Sequence, residues 1–366
     1  MTWMSIALFG CVAASAACTR TATTTVTESE STIPAINEMQ IKQNLLERHS
    51  LSDAVELQIL AQTQSSDVSH LEFPTSLGSS PDGNIYIADN NGDAIYHTTS
   101  KLKVLKKLPA EDGHLVYPNT IQVRQNEILI SDNDGIKVFE RDGSFQRLLR
   151  IYYTVFDFAL DSAGNIFANP IFSAPKDSDA LVVSLNHQGM RVGSFGKRMN
   201  RAEHDGLEDR TYISVVDHLV IVAFRHRPLL QIYSNKTGEL LREIDVTHPI
   251  FPDLAKLEED KKFVNPKPGV VRLPVYISGV DVMDSRIFVL LCLPQPEIVE
   301  FHIQGRETAR FRSTASVSAF SYFGFRAGSA GKARRFTLGI LNSYRDPVLM
   351  ILTSHDKTTQ TKENSK

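Results

Sequence analysis

Arg225-His226-Arg227 is the one place in the chain where two guanidinium groups flank an imidazole. A planar guanidinium matches the geometry of a carboxylate or a phosphate. The run follows the apolar segment 219–224, so it falls at a loop after a strand. Arg225, His226 and Arg227 are therefore the candidate ligand-binding residues, with an anionic group as the chemistry they would take. An exposed basic loop is the competing reading. Two acidic turns, Asp89-Asn90-Asn91-Gly92-Asp93 and Asp132-Asn133-Asp134-Gly135, bring several oxygen atoms together. A calcium ion wants six to eight such ligands, and an EF-hand loop adds a glutamate at its twelfth position, which neither turn has. Asn, Asp and Gly also dominate ordinary hairpin turns, so Asp89 and Asp132 are expected to hydrogen-bond to nearby backbone. No His-x-x-x-His or His-Glu-x-x-His spacing occurs, and no Gly-x-Ser-x-Gly or phosphate-binding Gly-x-x-x-x-Gly-Lys motif. No catalytic residue, metal ligand or cofactor is assigned. The Gly-rich stretch 324–331 lacks a following helix and reads as a connecting loop.

These residues must be held by a repeating frame. Six times the chain presents an aliphatic strand, a short polar turn and a second aliphatic strand. The cores begin at Ile85, Ile128, Ile166, Leu219, Ile287 and Phe336, at intervals of 43, 38, 53, 68 and 49 residues. In the first unit, Pro81-Asp82-Gly83-Asn84 supplies a turn, because proline presets φ and glycine tolerates positive φ. Asp142-Gly143, Ala163-Gly164, Gln188-Gly189 and Thr237-Gly238 punctuate the later units in the same way. Four short strands per unit at a period near 40 to 50 residues indicate radially repeated sheets. The sixth unit ends one strand short, in the polar segment 354–366, whereas Glu56-Leu57-Gln58-Ile59-Leu60 stands before the first unit with none of its own. The N-terminal strand is expected to complete the last sheet and close the ring.

Units one and two carry a family likeness. Pro74 and Pro118 open their first strands, Asp82-Gly83-Asn84-Ile85-Tyr86-Ile87-Ala88-Asp89 forms the second, and Asp142-Gly143 follows an aliphatic strand. This resembles the NHL-type six-bladed β-propeller repeat, most clearly over 74–108 and 117–150 and loosely over 54–354. The resemblance implies an all-β six-bladed propeller. Asn169 stands where units one and two have Asp89 and Asp132, and units four to six lack the acid.

The 366 residues carry a formal charge of −3, which gives no global attraction to nucleic acid. The basic runs 101–107 and 332–335 read as protected strand edges. Tyr86, Tyr96 and Tyr233 are expected to pack between units, and Phe320, Tyr322, Phe323 and Phe325 to line a strand with one buried face. Trp3 to Ala17 is uncharged and mostly apolar but too short to span a bilayer. It ends in Ala14-Ser15-Ala16-Ala17 before Cys18, which resembles a bacterial lipoprotein signal; Cys11 offers a competing match. Residues 1–17 thus read as a signal peptide and Cys18 as the lipidated residue. Residues 18–35, rich in Thr, Ser and Glu, read as a flexible tether. Residues 36–53 read as a short helical lead-in, 54–354 as the propeller and 355–366 as a disordered tail. Cys292 then stands alone in an apolar run and reads as a small buried hydrophobe.

The function expected is that of an exported, envelope-anchored module in the periplasm or at the outer membrane. It would bind envelope proteins or a small ligand at the channel face and reach the membrane through lipid on Cys18. The alternative is a metal-dependent hydrolase or lyase with its site over the central channel.

Overall fold

Aliphatic runs separated by Asn/Asp/Gly turns fold as antiparallel meanders, because each turn returns the chain beside itself before the apolar face is exhausted. In a computed structural model of the chain, the described residues are 54–63, 70–90, 93–102, 106–108, 113–151, 153–171, 180–198, 207–253, 255–256, 273–313, 319–330, 333–342 and 346–354. The expected signal, Cys18, the tether, the helical lead-in and the C-terminal tail lie outside them, as do residues 254 and 257–272. No helix among the described residues is long and apolar enough to cross a membrane.

Strand β1 (Val55–Gln62) precedes four meanders. The first is β2 (Pro74–Ser79), β3 (Ile85–Asp89), β4 (Ala94–Thr98) and β5 (Lys106–Leu108). The second is β6 (Ile121–Val123), β7 (Glu127–Asp132), β8 (Gly135–Glu140) and β9 (Phe145–Leu149). The third is β10 (Thr154–Leu160), β11 (Ile166–Ile171), β12 (Ala180–Leu185) and β13 (Arg191–Lys197). The fourth is β14 (Thr211–Val216), β15 (Leu219–Phe224), β16 (Leu229–Ser234) and β17 (Leu240–Asp245). Each is a separate four-stranded sheet in sequence order.

The remaining strands are β18 (Ile277–Met283), β19 (Arg286–Leu291), β20 (Glu297–His302), β21 (Glu307–Ser313), β22 (Ala319–Ala330), β23 (Ala333–Asn342) and β24 (Pro347–Ser354). With β1 they form one eight-stranded sheet of order β18-β19-β20-β21-β1-β24-β23-β22. The N-terminal strand does join the last one: Leu57 pairs with Ser354, Ile59 with Leu352 and Gln62 with Met350, antiparallel. It also pairs in parallel with β21 through Val55, Glu56 and Leu57, a contact the sequence did not announce. The architecture is an all-β propeller.

Apolar clusters fill the spaces between successive sheets. One joins Tyr86, Ile95 and Leu115 to Ile128 and Phe139; the next joins Leu129 and Val138 to Phe158 and Val183. A third links Phe167 and Val182 to Val222 and Tyr233, and a fourth links Ile221 and Leu230 to Val289 and Val299. Inside the eight-stranded sheet Phe288, Phe311 and Phe336 meet Leu57 and Met350. The last cluster sets Leu77 and Ile87 against Phe323 and Ile351, so the first meander packs on the last. At that closure a Cβ on Gly324 would sit 2.3 Å from the Leu77 Cβ, so only glycine lets β22 approach β2 this closely.

Two expectations change here. The Gly-rich stretch 324–331 is not a loop through its described part. Gly324–Ala330 continue β22, because Phe323 and Phe325 are buried and hold the segment against its neighbours. Arg334 and Arg335 do not protect an edge: β23 has partners on both sides, and Arg334 Nε reaches Glu300 at 3.3 Å. Tyr86, Tyr96 and Tyr233 are buried as expected.

Candidate functional site

The first strands of the meanders, together with β18 and β22, surround a cavity of about 250 Å³. Phe73, Asn119, Phe156, Tyr212, Ser278 and Ser321 contribute to its wall, each within the first three residues of such a strand or just before it. Phe323, Leu341 and Val280 add apolar surface, and Arg225, Asp157 and Arg326 bring charge.

Arg326 bridges two of the units around it. Its Nη2 donates to the Ile121 carbonyl at 3.2 Å, across from its own strand, and its Nη1 to the Phe325 carbonyl at 3.1 Å. Two buried acids flank it. Asp157 Oδ2 accepts the Ile213 amide at 2.7 Å, tying β10 to β14. Asp281 Oδ2 accepts the Ala327 amide at 2.8 Å, tying β18 to β22, and its Oδ1 accepts the Val282 amide at 2.9 Å. Ser76 Oγ accepts the Ile121 amide at 3.1 Å and joins β2 to β6. These bonds lace neighbouring strands together around the cup that the cavity forms. Of the two carboxyls, Asp157 lines it. Burial pushes Asp157 up to about 6, against the pull of the Ile213 amide and the Arg326 charge. Burial raises Asp281 as well, with Arg326 opposing it.

Beside Asp157, at β10 and β14, cations and rings alternate. The Arg210 guanidinium lies 5.5 Å from the Phe156 ring centre, Phe156 lies 5.6 Å from Tyr212, and Arg225 Nη1 donates to Tyr212 Oη at 3.0 Å. Such stacking is favoured by the negative face of an aromatic ring. Burial holds the Tyr212 phenol up, so it stays neutral. Tyr322 Oη donates to the Leu293 carbonyl at 2.8 Å, and burial raises that phenol too.

The three residues of the basic run go to three places. Arg225 lines the cavity. His226 Nδ1 lies 2.9 Å from the Pro274 carbonyl, which can only accept, so that nitrogen carries the proton. Burial first, and then the Arg225 charge, push His226 down to about 3, and the ring is neutral at physiological pH. Arg227 Nη2 pairs with Glu208 at 3.1 Å. All three are half-buried rather than a solvated loop. Cys292 is a free thiol, half-buried just beyond β19 rather than fully enclosed.

The acidic turns work as backbone clamps. Asp89 accepts the Glu72 and Phe73 amides at 2.7 and 2.9 Å. Asp132 accepts the Val116 and Asp134 amides at 3.1 and 2.9 Å. It also holds the buried Lys137 ammonium at 2.6 Å. Burial alone would lower Lys137, but Asp132 and Asp134 outweigh it and raise it. Asn169 in unit three bonds differently: it accepts the amide of Thr211, in the first strand of unit four, at 3.3 Å and donates to the Leu181 carbonyl in β12 at 2.9 Å. Among the described residues no three His, Cys, Asp or Glu side chains gather as metal ligands.

Sequence reasoning missed Asp157, Asp281, Arg326 and Tyr212. A signal existed: Val155-Phe156-Asp157-Phe158-Ala159, Val280-Asp281-Val282 and Phe325-Arg326-Ala327 each set one charge inside an apolar strand.

No family model matches the sequence, and neither does any curated protein. Solved structures do match. A Bacteroides fragilis protein named for its expected export superposes with a TM-score of 0.54 at 14% identity, over 84% of this chain and 98% of that one. A calcium-binding protein, regucalcin, from Agrobacterium tumefaciens gives 0.53 at 8% identity, over 84% and 98%. A gluconolactonase from Xanthomonas campestris gives 0.51 at 10% identity, over 81% and 89%. At such identities the likeness is one of β-propeller fold. The NHL likeness rests on the motif residues of units one and two.

Proposed function

We propose that this chain is a six-bladed propeller that binds a small ligand in its axial cavity, as a module of the cell envelope. The count of six takes the eight-stranded sheet as two blades joined along β21 and β1. Six apolar clusters, one between each successive pair of four-strand groups, support it. The observation that carries the binding reading is the cavity itself: Phe73, Phe156, Phe323 and Leu341 share its wall with Asn119, Asp157, Tyr212, Arg225 and Arg326. A concave site that sets placed polar groups among apolar and aromatic side chains is the usual form of a small-molecule pocket. The metal-dependent alternative is less well supported, because the acids nearest the axis are committed to backbone amides and stand beside Arg326.

A thermal-shift screen of the full chain against small organic compounds tests the reading. At least one compound should raise the melting temperature, and Ser321→Phe, which fills the cup, should abolish that rise. A screen without a stabilising compound, or stabilisation that survives Ser321→Phe, overturns it. The envelope location follows the Cys18 signal. Labelled palmitate should enter the wild-type chain and not Cys18→Ala; equal labelling of both removes the lipid anchor from the proposal.

A further inference from the structure

We propose that the axial cavity takes a small neutral molecule that carries a carbonyl on a flat apolar group, with the Tyr212 hydroxyl donating to the carbonyl oxygen. This rests on the cavity being a ligand site and specifies what fits there. Tyr212 lines the cavity. Its oxygen accepts from Arg225 Nη1 at 3.0 Å, and among the described residues no group accepts the phenolic hydrogen. A phenol is donor and acceptor at once. Its O–H lies in the plane of the ring, so the bond from Arg225 leaves the hydrogen on the other side of the oxygen. Burial holds the phenol neutral, against the pull of the Arg225 charge, so the hydrogen is there to give. A donor without an acceptor is costly away from water, which makes a carbonyl oxygen the fitting partner.

The neighbouring wall selects the rest of the molecule. Phe156 and Tyr212 both line the cavity with ring centres 5.6 Å apart, so a flat group bonded to the carbonyl meets a ring beside the donor. Phe73, Phe323 and Leu341 add apolar surface. The charged side chains of the wall already serve the protein. Asp157 accepts the Ile213 amide, Arg326 donates to the Ile121 and Phe325 carbonyls, and Arg225 orients Tyr212. With both signs present, neither an anion nor a cation meets a wall of opposite charge, and leaving water costs an ion far more than a neutral molecule. The volume sets the size: about 250 Å³ is at the small end of ligand pockets, enough for one ring and a short polar arm.

Calorimetry on the full chain with four probes tests this: acetophenone, ethylbenzene, benzoate and benzylamine. Acetophenone and ethylbenzene are close in size and differ in the carbonyl. Acetophenone should bind about fivefold more tightly than ethylbenzene, the value of one net hydrogen bond, and more tightly than either ion. Tyr212→Phe, which keeps the ring, should erase the preference over ethylbenzene. The infrared carbonyl stretch of bound acetophenone, displaced to lower frequency in the wild type, should move back in that variant, a readout that a merely structural role of Tyr212 would not change. The wild-type comparison decides even if the variant fails to fold: the proposal is overturned if ethylbenzene, benzoate or benzylamine binds as tightly as acetophenone. It is overturned too if a folded Tyr212→Phe keeps the preference or the displaced stretch. Should other compounds stabilise the protein in a Ser321→Phe-sensitive way while acetophenone does not bind, the ligand class is wrong and the cavity reading stands. If nothing binds in the cup, both fall.

Discussion

Units one and two differ from units four and five at one place, the end of the second strand. In every one of the four, the next residue donates a backbone bond to the segment entering the first strand: Asn90 to Phe73, Asn133 to Val116, Arg225 to Arg210 and Cys292 to Tyr276. In units one and two a carboxylate, Asp89 or Asp132, clamps that segment further. In units four and five the position is Phe224 or Leu291, fully buried. Side-chain carboxylates recur nearer the cavity as ties between units: Asp157 of unit three holds β14 of unit four, and Asp281 of unit five holds β22. Units one and two thus add a carboxylate to a backbone bond that units four and five accompany with a buried apolar side chain.

Breaking the early clamps should therefore cost stability, while changing the axial acids should alter how stability follows pH. The largest effect is expected for Asp132→Ala, which strips the buried Lys137 of its nearest carboxylate; removing one partner of a buried pair costs about 3–5 kcal/mol, read by urea unfolding. Asp157→Asn comes next. The folded carboxyl at about 6 lies above its ordinary 3.8, so the folded state holds the proton more tightly. Wild-type stability should fall as pH rises through that window and level off above it, by roughly 3 kcal/mol. Asp157→Asn should remove this slope, and parallel pH profiles for the two proteins would refute the assignment. Asp89→Ala leaves two backbone amides without their acceptor and should cost about 2 kcal/mol in the same unfolding assay. Asp89→Asn, which puts in unit one the residue type found at Asn169 in unit three, should cost about 1 kcal/mol. Equal losses for these last two would mean that charge, rather than an acceptor, secures the clamp.

The repeat was legible because its signals are local. Asp142-Gly143 makes its turn within the turn itself: the Gly143 amide donates to Glu140 at 3.0 Å and the Ser144 amide to Asp142 at 2.9 Å. That Asp89 and Asp132 would hold backbone was legible from their place in the turns, but not that most of the amides they hold stand 16 or 17 residues upstream. Arg225 was found as part of a basic run, but its neighbours were not separable from it in the sequence. What divides them is burial of His226 against Pro274 and the position of Glu208 beside Arg227. The charges inside β10, β18 and β22 look like interruptions until the strands are set around one axis.

The sequence by itself determined the strands, their turns and the strand at each terminus left to pair with the other, since hydrophobic runs and turn residues act over a few positions. Only the tertiary structure decided that β21 would join β1 and that Arg326 would meet the carbonyl of Ile121, 205 residues away. Contacts of that range depend on how the sheets pack around the axis, and burial in that assembly, not residue type, sets the charge state of Asp157 and His226.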